Sequence, residues 1–272
     1  MTKYGGTRPR ALGRAALFAV LALAAPTAAA GDAVCLHYLG HAAFVLELAD
    51  GTRVLTDYGA SRAWGLDSPV HSLGGLVPDV VTISHAHEDH AGGTLPDGVG
   101  HVLRGPGELT LGDLKVRSIP AFERGLEKPD NRSFLFTFRG VRILHLGDVQ
   151  ALIQASGTEE GRRRVRELYP ERYDVVLVPI GFVKDILEPA ATFVSLLRAR
   201  TIVPMHYWSP KDRDAFLKLV SGRPGADGKP MTALAAGSPR FCPGAAADAG
   251  TQVVGLEPRP WTPAGDPIRP SP

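Results

Sequence analysis

Apolar and polar residues alternate along the early part of the chain in the way that β-strands require. The alternation runs through residues 34–39, 43–48 and 53–56, and an Asp50-Gly51 turn signal separates the second run from the third. Because successive side chains of a strand point to opposite faces of a sheet, this pattern predicts a β-meander at the start of the domain.

Further strands and a few helices are predicted downstream. Apolar, β-branched runs predict strands at residues 80–83, 100–104, 114–120, 133–138, 141–145, 173–179, 201–206 and 252–254. Charge pairs and apolar stripes of helical period predict helices over residues 150–169, 190–200 and 210–219. Neither an internal repeat nor a linker divides this region, so the sequence predicts one α+β domain over residues 31–256.

Both ends of the chain differ from this pattern. Residues 1–30 have the basic start, the apolar run at 15–25 and the small residues before Ala30 that are typical of a secretory signal peptide. The apolar run is too short to span a bilayer comfortably, although an uncleaved anchor is the alternative. We therefore expect a bacterial protein exported to the periplasm or secreted. The Pro-rich residues 257–272 predict a disordered tail.

Composition narrows the choice of partners. The 30 basic and 28 acidic residues give a net charge of +2, which provides no field for nucleic acid or for an anionic membrane. We expect a small-molecule substrate, no nucleic-acid partner and no stable membrane association after signal cleavage; no oligomeric state is predicted. The two cysteines, Cys35 and Cys242, either form a disulfide, which export permits, or remain two buried thiols.

Candidate chemistry is concentrated directly after the predicted strand at 80–83. Residues 85–90 read His-x-His-x-Asp-His, so three histidines and an aspartate fall within six positions. Neutral imidazole and carboxylate are ligands that zinc prefers, and a turn can aim these side chains at two neighbouring points. The motif therefore predicts one or two bound metal ions, with a solvated histidine-rich loop as the alternative.

Several other motifs occur in a characteristic order with this one. They lie at residues 38–44, 56–57, 143–148, 178–181 and 204–207. Together with residues 85–90 they resemble the metallo-β-lactamase superfamily of metal-dependent hydrolases, and within it the ascorbate-phosphate-lactonase-like branch. The resemblance implies a four-layer αββα sandwich in which loops at strand ends carry the metal ligands.

The resemblance also implies two metal positions that share one bridging carboxylate. One position would be held by His85, His87 and Asp148, and the other by Asp89, His90, Asp148 and His206. Related sequences carry a further histidine where this chain has Glu123. That glutamate either completes the first position, with a shift in preference toward iron or manganese, or points away and leaves the position weak. The expected cofactor is one or two divalent ions, zinc first and manganese or iron as alternatives.

Residues around the predicted ligands have supporting roles to fill. Asp57 ends its strand and is expected to accept a ring N–H from a ligating histidine, which would fix the tautomer of that histidine. His41 would face the metal cleft in proteins of this kind, or else is a solvated or turn-capping histidine. Trp64, Tyr207 and Trp208 are candidates for the wall of a substrate pocket, with a place at the edge of the core as the alternative for Trp64.

The implied activity is metal-assisted hydrolysis by a metal-bound hydroxide. A bound ion lowers the pKa of water toward neutrality while a second ion polarises a carbonyl or phosphoryl oxygen. Asp89 could orient the hydroxide or carry its proton, and His90 is the second catalytic candidate. A small-molecule lactone, ester or phosphoester is the favoured substrate, ahead of a β-lactam, a phosphodiester or RNA. The alternative of a different class is a non-catalytic metal-binding or ligand-binding protein that kept the fold.

Overall fold

The structure is a computed structural model that describes residues 1–2, 33–65, 69–181, 185–244 and 250–263. The predicted signal peptide therefore lies outside the described residues, apart from its first two positions. Within the described ranges, no helix is both long enough and apolar enough to cross a bilayer.

Fourteen strands and five α-helices occur in the described residues. In chain order the strands are β1 (Val34–Gly40), β2 (Ala43–Leu48), β3 (Arg53–Thr56), β4 (Val80–Ile83), β5 (His101–Arg104), β6 (Glu108–Leu111), β7 (Leu114–Ala121), β8 (Asn131–Phe138), β9 (Val141–His145), β10 (Tyr173–Pro179), β11 (Ala199–Met205), β12 (Thr232–Ala235), β13 (Arg240–Phe241) and β14 (Gln252–Gly255). The helices are α1 (Glu88–Ala91), α2 (Gln150–Ala155), α3 (Glu159–Leu168), α4 (Leu187–Val194) and α5 (Pro210–Val220).

The strands form two mixed sheets. The first sheet has the order β13-β1-β2-β3-β4-β5, and the second has the order β12-β14-β11-β10-β9-β8-β7-β6. In each sheet an antiparallel meander continues into parallel strands: β3, β4 and β5 are parallel in the first, and β9, β10 and β11 are parallel in the second. Parallel neighbours end at the same edge, so loops that follow them meet there.

The alternation seen in the sequence separates two hydrophobic clusters. Alternate residues of β1 and β2, such as Leu36 and Phe44, face the main core between the sheets. Their neighbours, such as Leu39 and Val45, face a smaller cluster on the outer side of the first sheet, which Trp261 helps to cover. Strands β1 to β4 are thus largely buried on both faces, which explains why they are mostly apolar, whereas the edge strand β5 is mostly exposed.

Helices cover the outer side of the second sheet. Helix α5 packs on β12 and β14, and α4 packs between α5 and α2. Helix α5 begins with a capping box, in which the Ser209 backbone N–H donates to the Asp212 carboxylate at 2.8 Å, and Pro210 occupies its first turn. On the first sheet, the outer cover includes loops and the one-turn helix α1. The predicted α+β class with two packed sheets is confirmed.

Two helix predictions need correction. The predicted helix over 150–169 is broken into α2 and α3, because Thr158 caps a new helix by accepting from Gly161 N at 3.0 Å. The predicted helix over 190–200 is wrong at both ends, since α4 covers Leu187–Val194 and the strand β11 begins at Ala199. The strands β6 and β12 were not predicted because they are short and largely exposed, and β13 was not predicted because it has only two residues.

The predicted disordered tail is also wrong in its first part. The backbone N–H of Arg259 donates to Tyr38 O at 3.2 Å, and that of Trp261 donates to Ser72 O at 3.1 Å. The Trp261 side chain is buried against the first sheet. The ordered fold thus continues through residue 263, and residues 264–272 lie outside the described part of the chain.

The two cysteines form a disulfide between opposite ends of the domain. Cys35 lies on β1 and Cys242 directly follows β13, with their Cα atoms 4.2 Å apart across 207 positions of sequence. The bridge therefore reinforces the pairing of β13 with β1, in which Leu36 lies opposite Phe241. Of the two states that the sequence left open, the structure contains the bridged one.

Candidate metal centre

Loops at the strand ends bring eight side chains that could ligate a metal to one edge of the sandwich. The side chains fall into two groups, and within each group the potential ligand atoms lie within 4.8 Å of one another. The His41 cluster consists of His41, Asp89, His90 and His206, and the His85 cluster consists of His85, His87, Glu123 and Asp148. All seven predicted metal ligands are present, and His41 joins them.

The His41 cluster is arranged around one carboxylate oxygen. Asp89 Oδ2 is 2.9 Å from His41 Nε2, 3.2 Å from His206 Nε2 and 3.4 Å from His90 Nε2. His41 is 1% exposed, so the alternative of a solvated turn histidine is wrong. Burial alone would raise the pKa of Asp89, but the neighbouring rings of His206, His41 and His90 together hold that pKa well below its usual range. The cluster therefore contains an ionised carboxylate among three imidazoles.

Two of these histidines are oriented by oxygen atoms behind them. His90 Nδ1 lies 2.8 Å from Asp57 Oδ2, the contact that the sequence predicted for Asp57, and His206 Nδ1 lies 2.8 Å from Gly181 O. Oxygen acceptors at these positions hold a ring proton on Nδ1, so that in the neutral ring Nε2 is the acceptor that faces the cluster. Asp57 is itself held by Ser84, whose N and Oγ atoms donate to it at 2.7 and 2.6 Å.

The His85 cluster is more open and includes the unusual glutamate. His85 Nε2 is 3.8 Å from Glu123 Oε2, and His87 Nδ1 is 3.6 Å from Glu123 Oε1, so Glu123 points into the cluster. Its loop is fixed by Asp130, which accepts from the Glu123 N–H at 2.8 Å and the Arg124 N–H at 3.3 Å. Burial, followed by the charge of Asp148, raises the pKa of Glu123.

Asp148 lies between the two clusters. Its Oδ1 atom is 3.3 Å from His90 Nε2 and 3.3 Å from His206 Nε2, while its Oδ2 atom is 3.8 Å from His85 Nε2. One carboxylate therefore presents one oxygen to each cluster, which is the arrangement that a bridging ligand requires. Gly147, with φ of 60°, makes this placement possible, because a Cβ there would approach Ser84 Cβ to 2.7 Å.

Unpaired polar atoms test whether these residues suit a metal ion. Among the side-chain atoms that are buried and lack a hydrogen-bond partner in the described residues are His85 Nε2, His90 Nε2 and Asp148 Oδ1. Buried polar atoms are almost always paired, so three unpaired ones turned toward each other indicate a missing partner. Imidazole nitrogens together with a carboxylate oxygen form a donor set that fits a divalent cation.

The pKa is lowered for two histidines of the site, one in each cluster, and raised for two others. Burial, and then the neighbouring His206, lowers the pKa of His41 to about 3, and burial with the neighbouring His90 lowers the pKa of His85 to about 4. Both rings are therefore neutral and ready to bind a metal at neutral pH. Burial also acts to lower the pKa of His90 and His206, but the charge of Asp148, together with the hydrogen bonds and charges of Asp57 at His90 and of Asp89 at His206, outweighs burial and raises both. A metal ion must displace protons from these two rings.

Backbone strain is concentrated around this centre. Of the seven non-glycine residues with positive φ in the described ranges, four lie here: His41 at 52°, Asp57 at 37°, Trp64 at 56° and His206 at 53°. Left-handed backbone at such residues costs of order 1–3 kcal/mol each and persists where the surrounding structure enforces it, commonly at functional sites.

The three aromatic residues predicted to line a substrate pocket lie in different environments. Trp64 is 66% exposed, yet its indole Nε1 donates to Asp89 Oδ1 at 3.2 Å, so this side chain borders the His41 cluster. Tyr207 is fully buried in the main core and packs edge-on against Tyr38, so the prediction that it lines a pocket is wrong. Trp208 is partly exposed and lines a cavity of about 590 Å³ next to the loop after β10.

Sequence reasoning missed some contributors to the site. Ser84, Asp130 and the carbonyl of Gly181 act by orienting other residues, and no local pattern distinguishes them. Arg124 also escaped notice, although it directly follows Glu123 and its Nη2 atom lies 3.0 Å from His87 Nε2. The left-handed turn at His41 was visible in the sequence as a Gly-His pair, but its partner Asp89 is 48 positions away.

Comparison with known proteins defines the class. A family model described as a beta-lactamase superfamily domain matches residues 35–206, which is more than half of the chain. The chain therefore belongs to the beta-lactamase superfamily. The match begins on β1 and ends at His206, so it includes every residue of both clusters.

More specific similarities point within this class. A UPF0173 metal-dependent hydrolase from Aeropyrum pernix is 32% identical over 209 residues, covering 63% of this chain and 81% of the relative. A UPF0173 metal-dependent hydrolase from Methanosarcina barkeri is 28% identical over 226 residues, which cover 70% of this chain and 92% of the relative. A solved structure from Thermotoga maritima is described as a candidate zinc-dependent hydrolase of the metallo-β-lactamase superfamily. It matches this chain with a TM-score of 0.54 and 25% sequence identity, and the match covers 82% of this chain and 98% of that one. The predicted superfamily and αββα fold are confirmed.

Proposed function

We propose that this chain is a metal-dependent hydrolase that acts on a small-molecule lactone, ester or phosphoester. The observation that carries the proposal is the position of Asp148, which presents one oxygen to each of two clusters that contain unpaired ligand atoms. The names of the UPF0173 relatives, which describe metal-dependent hydrolases, support the same reaction class.

The two clusters would hold two divalent ions. His41, Asp89, His90 and His206 would hold one, His85, His87 and Glu123 the other, and Asp148 would contact both. Bound divalent ions supply two kinds of chemistry at neutral pH: activation of water and polarisation of a carbonyl or phosphoryl oxygen. Zinc suits the histidine-rich cluster, whereas Glu123 makes manganese or iron an alternative in the other.

The chain's own residues prepare this chemistry. Asp57 and the Gly181 carbonyl hold the ring protons of His90 and His206 on the far side of each ring. Asp89 is kept ionised by its three histidine neighbours, and its Oδ1 atom, which accepts from Trp64, is directed away from them. Asp89 can therefore orient a water molecule by accepting a hydrogen bond from it, as a carboxylate within hydrogen-bond reach does.

Export of the protein is part of the proposal. The apolar run near the amino terminus is typical of a signal peptide. The Cys35–Cys242 disulfide supports it independently, because disulfides persist in the periplasm and outside the cell and are rare in reducing cytosol. Fractionation of the native host tests this step: recovery of the full-length chain in the cytosol would contradict export.

Elemental analysis of the mature protein, purified without chelator or affinity nickel, tests the metal content. Two metal equivalents per chain and hydrolysis of at least one lactone, ester or phosphoester are expected. Asp148→Asn should lower the metal content and the activity together, whereas Asp113→Asn, an exposed residue paired with Arg139, should change neither. Absence of metal, with no uptake of zinc, manganese or iron, would refute the hydrolase and favour a binding protein that kept the fold.

A further inference from the structure

An arginine that forms no close ion pair in the described residues lies beside the His85 cluster. Arg124 directly follows Glu123, and its Nη2 atom lies 3.0 Å from His87 Nε2. No carboxylate lies within 4 Å of this guanidinium anywhere in the ranges that the structure describes. The side chain is exposed, so it is accessible to a ligand that reaches the cluster from solvent.

The contact with His87 exists only for one form of the ring. A guanidinium has donors and no acceptor, so His87 Nε2 must accept, and the ring proton must sit on Nδ1. Nδ1 is the atom that faces Glu123 Oε1, at 3.6 Å, and is therefore the atom available to a metal in the His85 cluster. A cation on Nδ1 leaves the proton of the neutral ring on Nε2. Two donors then face each other, and Arg124 loses its acceptor.

The backbone keeps Arg124 in place when that contact is lost. Asp130 accepts from the backbone N–H groups of both Glu123 and Arg124, so the loop does not depend on the His87 contact. Asp130 also lines a cavity of about 300 Å³ that includes His85 and two further arginines, Arg104 and Arg132. The charged side chains of this cavity, apart from His85, are two arginines and one aspartate, so the cavity carries an excess of one positive charge next to His85.

We propose that Arg124 binds an anionic group of the substrate, a carboxylate or a phosphate, so that the substrates are acidic small molecules. A guanidinium presents paired N–H donors that match the geometry of carboxylate and phosphate oxygens. Loading of the His85 cluster with metal frees these donors, so the anion site forms together with the metal site. This inference rests on the proposed function, because it assumes that the substrate is hydrolysed at the metal centre beside Arg124.

A matched pair of esters tests the inference. 4-Acetoxybenzoate and its methyl ester release the same kind of phenol but differ by one negative charge. Arg124→Met should lower kcat/KM for the charged ester at least about tenfold more than for the neutral one, as expected for loss of a charge-assisted hydrogen bond. Arg198→Met, a matched change of an exposed arginine before β11, should leave both values unchanged. An equal loss for both esters would overturn the proposal.

Calorimetric titration with inorganic phosphate gives a second readout that needs no turnover. Wild type and Arg124→Met are loaded with zinc, and equal metal content is checked by elemental analysis. Phosphate should bind at least about tenfold more weakly to the variant. Equal affinity, or no binding to the wild type, would overturn the proposal. Phosphate binding that depends on Arg124 in a protein that hydrolyses neither ester would support the anion site and count against the proposed reaction.

Discussion

Replacement of Asp57 by asparagine should disable one metal position while it preserves the shape of the site. Asp57 is fully buried; its Oδ2 atom accepts from His90 Nδ1 and Ser84 Oγ, and its Oδ1 atom accepts from Ser84 N. Asparagine has only one oxygen. If that oxygen keeps the contact with Ser84 N, the amide NH₂ faces His90 Nδ1 and drives the ring proton onto Nε2, the atom that should bind the metal.

The size of the effect follows from these contacts. The opposite amide orientation places NH₂ against the Ser84 N–H, which leaves a buried donor unpaired at a cost of about 1–3 kcal/mol. Both orientations therefore have a cost, and changes behind a ligating histidine typically weaken metal binding by about 10- to 100-fold. That range corresponds to about 1.4–2.8 kcal/mol of binding free energy. The loss should be confined to the His41 cluster, because Asp57 holds His90.

Competition with a chromophoric zinc chelator, combined with elemental analysis, measures this loss. We expect Asp57→Asn to keep about one equivalent of tightly bound metal. Asp79→Asn is the matched control, because Asp79 lies at the other end of β4 and accepts a backbone hydrogen bond from Arg53 at 2.8 Å. Circular dichroism establishes that both variants are folded. A folded Asp57→Asn variant that binds two zinc ions as tightly as wild type would refute the assigned role of Asp57.

Three further predictions concern the same centre and the fold around it. Trp64→Phe should weaken zinc binding about three- to tenfold, because phenylalanine lacks the indole donor to Asp89 Oδ1 although it keeps an aromatic ring. Unchanged zinc affinity in the chelator assay would contradict this prediction. Zinc affinity should rise from about pH 6 to about pH 8, because the pKa values of His90 and His206 are raised and their protons must leave as the metal binds. Calorimetry in two buffers of different ionisation enthalpy should detect this proton release, and a pH-independent affinity would contradict the prediction. Serine at both cysteines should lower the free energy of unfolding by about 2–4 kcal/mol in denaturant titrations, and an unchanged midpoint would show that the disulfide contributes little.

The sequence predicted the features of this protein that depend on local patterns. Alternation identified the first three strands, and short apolar, β-branched runs identified most of the others, since a buried strand must be apolar over several consecutive residues. The motif at residues 85–90 was equally visible, since α1 and the turn before it carry four ligating side chains in one segment. Asp57 was expected to support a histidine because it ends a strand beside that motif, and it contacts His90.

Features that depend on distant partners could not be predicted in the same way. His41 had two open interpretations because its partner Asp89 lies far along the chain. The orientation of Glu123 depends on Asp130, which fixes the loop by backbone hydrogen bonds that have no sequence pattern. Tyr207 follows a predicted ligand, but its ring occupies the core beside Tyr38.

Composition misled the prediction at the carboxyl-terminal end. A Pro-rich segment usually lacks the apolar residues needed to pay for its ordering. Here the buried side chain of Trp261 and three backbone hydrogen bonds, donated by Glu257, Arg259 and Trp261, hold the segment on the rest of the domain. The average composition of residues 257–272 does not reveal that one of their side chains is buried.

The Cys35–Cys242 bridge makes the domain a covalent ring. Every residue of both metal clusters, from His41 to His206, lies on the arc between the two cysteines. A protease that cuts one surface loop on this arc opens the ring but releases no fragment, since the two pieces stay joined through sulfur. In an environment rich in proteases, the metal centre therefore tolerates a nick that would split a reduced chain in two.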